Sequence, residues 1–211
     1  MKTASRMRTA LRLTPADSGV PLSVDELDGA EQGEGYKYEI IHGRLYVSPQ
    51  PALPTNDVED WLLGLLKEYA RTRPAIINFV TNKARVFTPA SEDVSAPEPD
   101  IAAYKDYPSL ARRRRRPIAW DAVSPLLVVE IISEDDPGKD LMRNPPLYLA
   151  VPSIKEYWVV DTRPDPYEPS LIVHQRHRGA WRVVNVPFGG TYTTKLLPGF
   201  TLHLDLAAGE E

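Results

Sequence analysis

The 211-residue sequence contains no cysteine. That absence excludes disulfides, zinc–thiolate sites and thiol nucleophiles, and it fits a reducing, cytoplasmic location. Long apolar runs are also missing. None approaches the roughly 20 residues of a membrane-spanning helix, so no membrane partner is expected. Histidine is scarce, and His42, His174, His177 and His203 show no metal-ligand spacing. His174 and His177 are expected on the surface of a hairpin. There is no excess of positive charge: the net charge is −4, so any contact with nucleic acid must be local. No phosphate-binding glycine loop, dinucleotide fingerprint or nucleophile elbow occurs.

What is present is a composition of 42% hydrophobic and 26% charged residues, which suits one globular domain with a sizeable core. The 21 prolines predict short, interrupted elements. Residues 1–22 carry Lys2, Arg6, Arg8 and Arg12 and read as a disordered basic tail, leaving 23–211 as a single domain. Segments 38–41 and 45–47 read as strands joined by a tight His42-Gly43 turn. Asn56 is the expected cap of a helix, with Glu59 closing a capping box. Val58, Trp61, Leu62, Leu65, Leu66 and Tyr69 form its apolar stripe. Segments 75–80 and 84–88 read as a strand pair around Asn82-Lys83, and 100–104 as a further strand. Segment 126–132 is apolar on both faces apart from Glu130, the pattern of a central strand, and 154–161 reads as a second central strand. The stretch 140–150 between them predicts a short crossover helix, broken or kinked at Pro145-Pro146. Beyond residue 170 the pattern predicts an antiparallel β extension, with strands at 171–175, 181–186, 192–196 and 200–204.

Glu130 is the single charge in the run 126–132. A carboxylate inside an apolar strand is costly unless protonated, paired or bound to a cation. Alternation of period two puts Val128, Glu130 and Ile132 on one face. Asp100 begins an adjacent strand, and Glu39 is a third acid among apolar neighbours. Three converging carboxylates would repel one another unless a divalent cation joined them. Mg²⁺ or Mn²⁺ suits such hard oxygen ligands. Pairing with arginine or capping by backbone amides would satisfy the same acids, so spacing alone leaves both readings open. Arg112, Arg113, Arg114, Arg115 and Arg116 fall in a loop and are candidate phosphate contacts, with a solvated loop as the alternative. Trp61, Trp120, Trp158 and Trp181 read as packing residues.

Five segments occur in one order: Tyr38-Glu39-Ile40-Ile41-His42-Gly43, Pro99-Asp100-Ile101-Ala102, Leu127 to Ser133, Asp140 through Tyr148 to Asp161, and Leu197-Pro198-Gly199-Phe200. Together they resemble the Uma-type (Uma-two) family of restriction-endonuclease-like proteins, within the PD-(D/E)XK nuclease superfamily. The resemblance covers about residues 23–207. It implies an α/β restriction-endonuclease-like fold, a mixed sheet flanked by helices. It also implies a Mg²⁺- or Mn²⁺-dependent endonuclease acting on DNA, for which a homodimer would suit double-strand cleavage. By the same resemblance Asp100 and Glu130 are the metal-binding acids and Glu39 the upstream glutamate. Ser133, Asp140 and Tyr148 are supporting residues. The family's lysine, four residues before the tyrosine, is replaced here by Asn144. Lys139 is the expected substitute in the cationic role, with Arg143 turned about 100° away from the Asn144 position. Asn144 also motivates a second reading, a catalytically inactive nuclease-fold module that binds nucleic acid or protein.

Overall fold

The computed structural model describes residues 11–50, 52–89, 93–133 and 137–208. The described chain is folded from its first residues. Strand β1 (Arg12–Leu13) lies parallel to β2 (Glu31–Gln32), with helix α1 (Val24–Asp28) between them in sequence. Ser23 and Glu26 cap α1 reciprocally, which satisfies two amides left open by the first turn. Leu13, Leu22 and Leu27 are buried with Tyr38, Ile40 and Leu45. The tail expected through residue 22 is therefore shorter, because Leu13 and Leu22 have an apolar cluster to enter. Lys2, Arg6 and Arg8 lie outside the described residues.

Strands β3 (Tyr36–Ile41) and β4 (Arg44–Pro49) form the expected hairpin. Its turn residues His42 and Gly43 have φ of 50° and 68°, the left-handed pair that matches strand twist. Helix α2 (Leu53–Thr72) begins three residues before Asn56. Ala52 occupies the cap position and a proline sits in the first turn, where its fixed φ suits helix entry and its missing N–H costs nothing. Asn56 is thus an interior residue. Glu59 instead accepts a hydrogen bond from the Asn82 side chain at 3.0 Å. Val58, Leu62, Leu66 and Tyr69 are buried as the stripe predicts.

The remaining elements build the central sheet. They are β5 (Phe79–Thr81), β6 (Ile101–Tyr104), helix α3 (Leu110–Arg115), β7 (Leu127–Ile132), a π-helical turn (Lys139–Arg143), α4 (Asn144–Leu149), β8 (Glu156–Asp161), β9 (Ser170–His177) and β10 (Ala180–Val186). The sheet order is β10-β9-β8-β7-β6-β5. Only β7 and β8 are parallel, with Glu130 opposite Val159. Segment 84–88 is not a strand of this sheet. The Val86 and Thr88 amides bond to the Pro97 and Ser95 carbonyls, while β5 pairs with β6. The β9–β10 hairpin extends the main sheet. Beside the sheet stands the separate pair β11 (Thr191–Thr193) and β12 (Thr201–His203).

The sheet is covered on both faces. Leu127, Val129 and Ile131 join Leu62, Leu66, Trp158 and Phe200 on the α2 side. Val128 and Ile132 join Tyr148, Tyr157 and Val159 on the α4 side. Each such side chain contributes about 1.5–3 kcal/mol on burial. Glu130, by alternation, belongs to the α4 face. The expected break at Pro145-Pro146 is displaced upstream. The Asn144 amide bonds the Lys139 carbonyl, five residues back. The prolines then fall in the first turn of α4, where no donor is needed. His174 is buried, not on the surface as expected, because β9 is an inner strand. It stacks on Tyr157 at 5.2 Å and meets Trp181 edge-on at 6.1 Å.

Candidate active site

The site is built where β3, β6, β7 and the π turn meet. β3 arrives through backbone contacts to the segment before β6: the Ala96 amide donates to the Ile40 carbonyl at 2.7 Å, and the Gly43 amide to the Val94 carbonyl at 2.9 Å. This docking lays Glu39 beside the chain leading into Asp100. The Glu98 amide donates to Glu39 Oε1 at 2.8 Å, and Arg143 Nη2 pairs with Glu39 Oε2 at 3.0 Å. Burial disfavours the Glu39 anion, but Lys139, Arg143 and the Glu98 amide outweigh it, so its pKa is lowered.

Asp100 is fixed on both oxygens. Oδ2 accepts the Ile131 amide at 2.7 Å, and Oδ1 is paired with the Lys37 ammonium. Its pKa is lowered because Lys37, Lys139 and the Ile131 amide overcome the cost of burial.

Glu130 is fully buried. Its Oε1 accepts Tyr148 Oη at 2.7 Å and Asn144 Nδ2 at 3.0 Å. Its Oε2 is buried with no hydrogen-bond partner. Burial, and beyond it the negative charges of Asp100 and Glu39, raise the Glu130 pKa to about 7 against the pull of Lys139. The opposite shifts of Glu39 and Glu130 follow from their partners, since only Glu39 has a cation in direct contact.

The π turn supplies the cationic side of the site. Lys139 is buried, with Nζ 3.9 Å from Asp140 Oδ1. Burial would lower its pKa, yet Glu39, Glu130, Asp140 and Asp100 together raise it, so it remains an ammonium. Asp140 is pushed well above the ordinary carboxyl range by burial and by Glu130. Asn144 Nδ2 bridges Asp140 Oδ1, at 2.8 Å, and Glu130. Asp140, Asn144 and Tyr148 are thus three successive i, i+4 positions that face the same acid.

The structure brings Glu39, Asp100, Glu130, Lys139, Asp140 and Tyr148 together. Ser133 follows β7 at the same end of the sheet and is half-buried. The arginines are not part of this cluster. Arg112 to Arg115 lie on helix α3, where a loop was expected, and Arg116 follows it, beyond the end of β6 opposite Asp100. Arg113 is committed locally, donating to the Pro108 carbonyl and lying 5.4 Å from the Tyr107 ring centre.

Two expectations change. Among the described residues no group of three or more His, Asp or Glu side chains is arranged to hold a metal ion. Glu39 does not join Asp100 and Glu130 around one cation, because Arg143 and the Glu98 amide already take its oxygens. Arg143 itself reaches the site although it neighbours Asn144: its guanidinium spans to Glu39 and lies 4.3 Å from the Tyr46 ring centre. A π turn spreads five residues over one loop of helix, so the 100° step of a regular helix misplaces it. Lys37 was not singled out from the sequence, yet period two places it on the face of Glu39.

The residues fit a divalent cation at two carboxylates. Mg²⁺ characteristically takes one or two, completing its shell with water and substrate oxygens. The unpartnered Oε2 of Glu130 is a buried acceptor awaiting a proton or a cation.

Comparison with known proteins bears on the same fold. The family model Uma2, described as "Putative restriction endonuclease", matches residues 24–207. No curated protein matches the chain. Among solved structures, a protein of Anabaena variabilis described as a "putative nuclease belonging to DUF820" is similar with a TM-score of 0.60 and 15% identity, covering 88% of this chain and 96% of that one. At this identity the likeness is one of fold.

Proposed function

This chain belongs to the Uma2 family, and we propose on that footing that it is a divalent-metal-dependent endonuclease hydrolysing phosphodiester bonds in DNA. The observation that carries the reading is the buried, unpartnered Oε2 of Glu130 in a cluster with Asp100. Asp100 and Glu130 would hold Mg²⁺ or Mn²⁺, which when bound supplies an activated water and positive charge at phosphorus-bound oxygens. The chain's own groups prepare that site. Tyr148 and Asn144 fix the Glu130 carboxylate by its other oxygen. The Ile131 amide fixes Asp100. Arg143 and the Glu98 amide keep Glu39 ionised and oriented. Lys139 adds a fixed ammonium beside the acids, where it stabilises negative charge developing on a bound phosphate. Asp140, which burial holds toward its protonated form, anchors Asn144. Cutting both strands of a duplex calls for two such sites, which a homodimer supplies.

Purified protein should cleave duplex DNA only with added Mg²⁺ or Mn²⁺, and Glu130→Ala should abolish cleavage. Cleavage that survives Glu130→Ala sinks the assignment. The second reading, a nuclease fold retained for binding alone, draws on Asn144, a neutral amide at the family's lysine position. It predicts no Mn²⁺ binding at millimolar concentration by calorimetry, with or without DNA.

A further inference from the structure

Among the described residues, Lys37 is the one cation of the cluster that is both on a metal-type ligand and partly open to solvent. Its Nζ sits on Asp100 Oδ1, and its side chain is 23% exposed while Asp100 is 6% exposed. The other oxygen of Asp100 is held by the Ile131 amide, so Oδ1 is the oxygen that a metal would approach. Lys37 also lines a cavity of about 510 Å³, with Tyr36, Asn82, Lys83, Arg85 and Trp120 among its other walls. That volume is of the size that holds a small ligand.

The occupancy of Asp100 argues that Lys37 must move. Its Oδ2 is taken by the Ile131 amide and its Oδ1 by Lys37, so a cation reaches Asp100 only by displacing one of them. A dication beside an unmoved ammonium would crowd two like charges on one buried carboxylate, which is costly. A dication exchanged for Lys37 avoids that repulsion. The other two cations are poorly placed to leave. Lys139 is 8% exposed, and Arg143 is bound to Glu39 and Asn144 and lies on Tyr46. A lysine on a flexible four-carbon stem needs only rotamer changes to swing its ammonium aside.

We propose that Lys37 is an exchangeable cation: it neutralises Asp100 in the metal-free protein, and a divalent metal displaces its ammonium into the adjoining cavity, where it meets a phosphate of the nucleic-acid substrate. The inference rests on the metal-dependent reading above. It makes Lys37 a built-in competitor for the metal and a phosphate contact once the metal is seated.

The test is Mn²⁺ titration calorimetry on the 211-residue protein and its Lys37→Met variant. Loss of the competitor should tighten Mn²⁺ binding by about tenfold, about 1.4 kcal/mol. Unchanged or weaker binding in the variant overturns the proposal while leaving the metal site standing. Absence of binding by both proteins overturns the metal-dependent reading and the proposal with it. A measurement on the unsubstituted protein covers the case in which Lys37→Met fails to fold. In ¹⁵N-lysine-labelled protein, with the Lys37 ammonium signal assigned through Lys37→Arg, Mg²⁺ should shift that signal. A Lys37 signal unmoved at saturating Mg²⁺ overturns the exchange.

Discussion

Glu130 is held at one oxygen by Tyr148 and Asn144 and open at the other, so in the metal-free protein it is a source of instability. Its pKa is raised by burial to about 7, above the ordinary 4.5. Between those values the folded state binds more protons than the unfolded state, so stability falls as pH rises through that window. Glu130→Gln removes this loss. In urea denaturation without metal, the variant should gain on the order of 1–3 kcal/mol over wild type at pH 8 and much less at pH 5. A variant less stable than wild type at pH 8 contradicts the account. A second residue-scale prediction concerns the displaced lysine. Lys139→Met should slow cleavage on the order of 10²–10³-fold, the usual loss for one charge-stabilising group. Adding Asn144→Lys should restore part of that rate, because Asn144 already touches Glu130 and Asp140. No rescue would place the cationic role elsewhere. Glu130 and Glu39 were legible in the sequence because each sits among apolar neighbours, and Asp100 because it opens an apolar strand. Lys37 was not, since one charge near a strand's start is ordinary. The bridging by Asn144 was not either, because an amide signals a partner only when the partner's position is known.

The element that decides the cation's position is the π turn. It brings Lys139 and Arg143 to the acids while keeping Asp140, Asn144 and Tyr148 in line. Met142 in that turn is 79% exposed, so its deletion loses little packing and should convert the π turn to a regular one. The deletion should rotate Lys139 by about 100° and reduce cleavage as far as Lys139→Met does, with the circular dichroism of the folded protein kept. Retained cleavage would show that the turn is not what places the lysine. The β3–β4 hairpin bears on Glu39 in the same way. Gly43 has φ 68°, and Gly43→Ala should cost about 1–2 kcal/mol in denaturant titration. The hairpin and the two central strands were legible because turn residues and apolar runs report local geometry directly. The start of α2 was misread because a cap signal at Asn56 competed with a proline that starts the helix earlier. The partner of β5 was beyond reach, since pairing across the 19 residues between β5 and β6 leaves no local mark. The π turn leaves none either: it adds one residue to a helix without a composition of its own.

At the scale of the whole molecule the arginine run and the acid cluster lie at opposite ends of β6. Asp100 precedes β6 and α3 follows it, so the strand's length, roughly 13 Å at 3.3 Å per residue, stands between the acids and Arg112, Arg114, Arg115 and Arg116. Lys155 leads into β8 at that same arginine-bearing end, because β8 runs parallel to β7 and the start of β7 pairs with Ala103 near the end of β6. With Arg182 and Lys195 it lines a cavity of about 900 Å³. A chain of net charge −4 with a local run of arginines can hold a phosphate backbone locally without attracting nucleic acid over its whole surface. Replacing Arg112, Arg114, Arg115 and Arg116 with glutamine should therefore flatten the dependence of log K on log salt for duplex DNA. The expected drop is up to about 0.9 per arginine that meets a phosphate. Mn²⁺ affinity should stay at the wild-type value, because none of the four touches the acid cluster. An unchanged slope would assign α3 to solvated surface and leave Lys155, Arg182 and Lys195 as the set to neutralise next. A lost Mn²⁺ affinity would mean that the two ends of the sheet are coupled, against the separation that the strand length imposes.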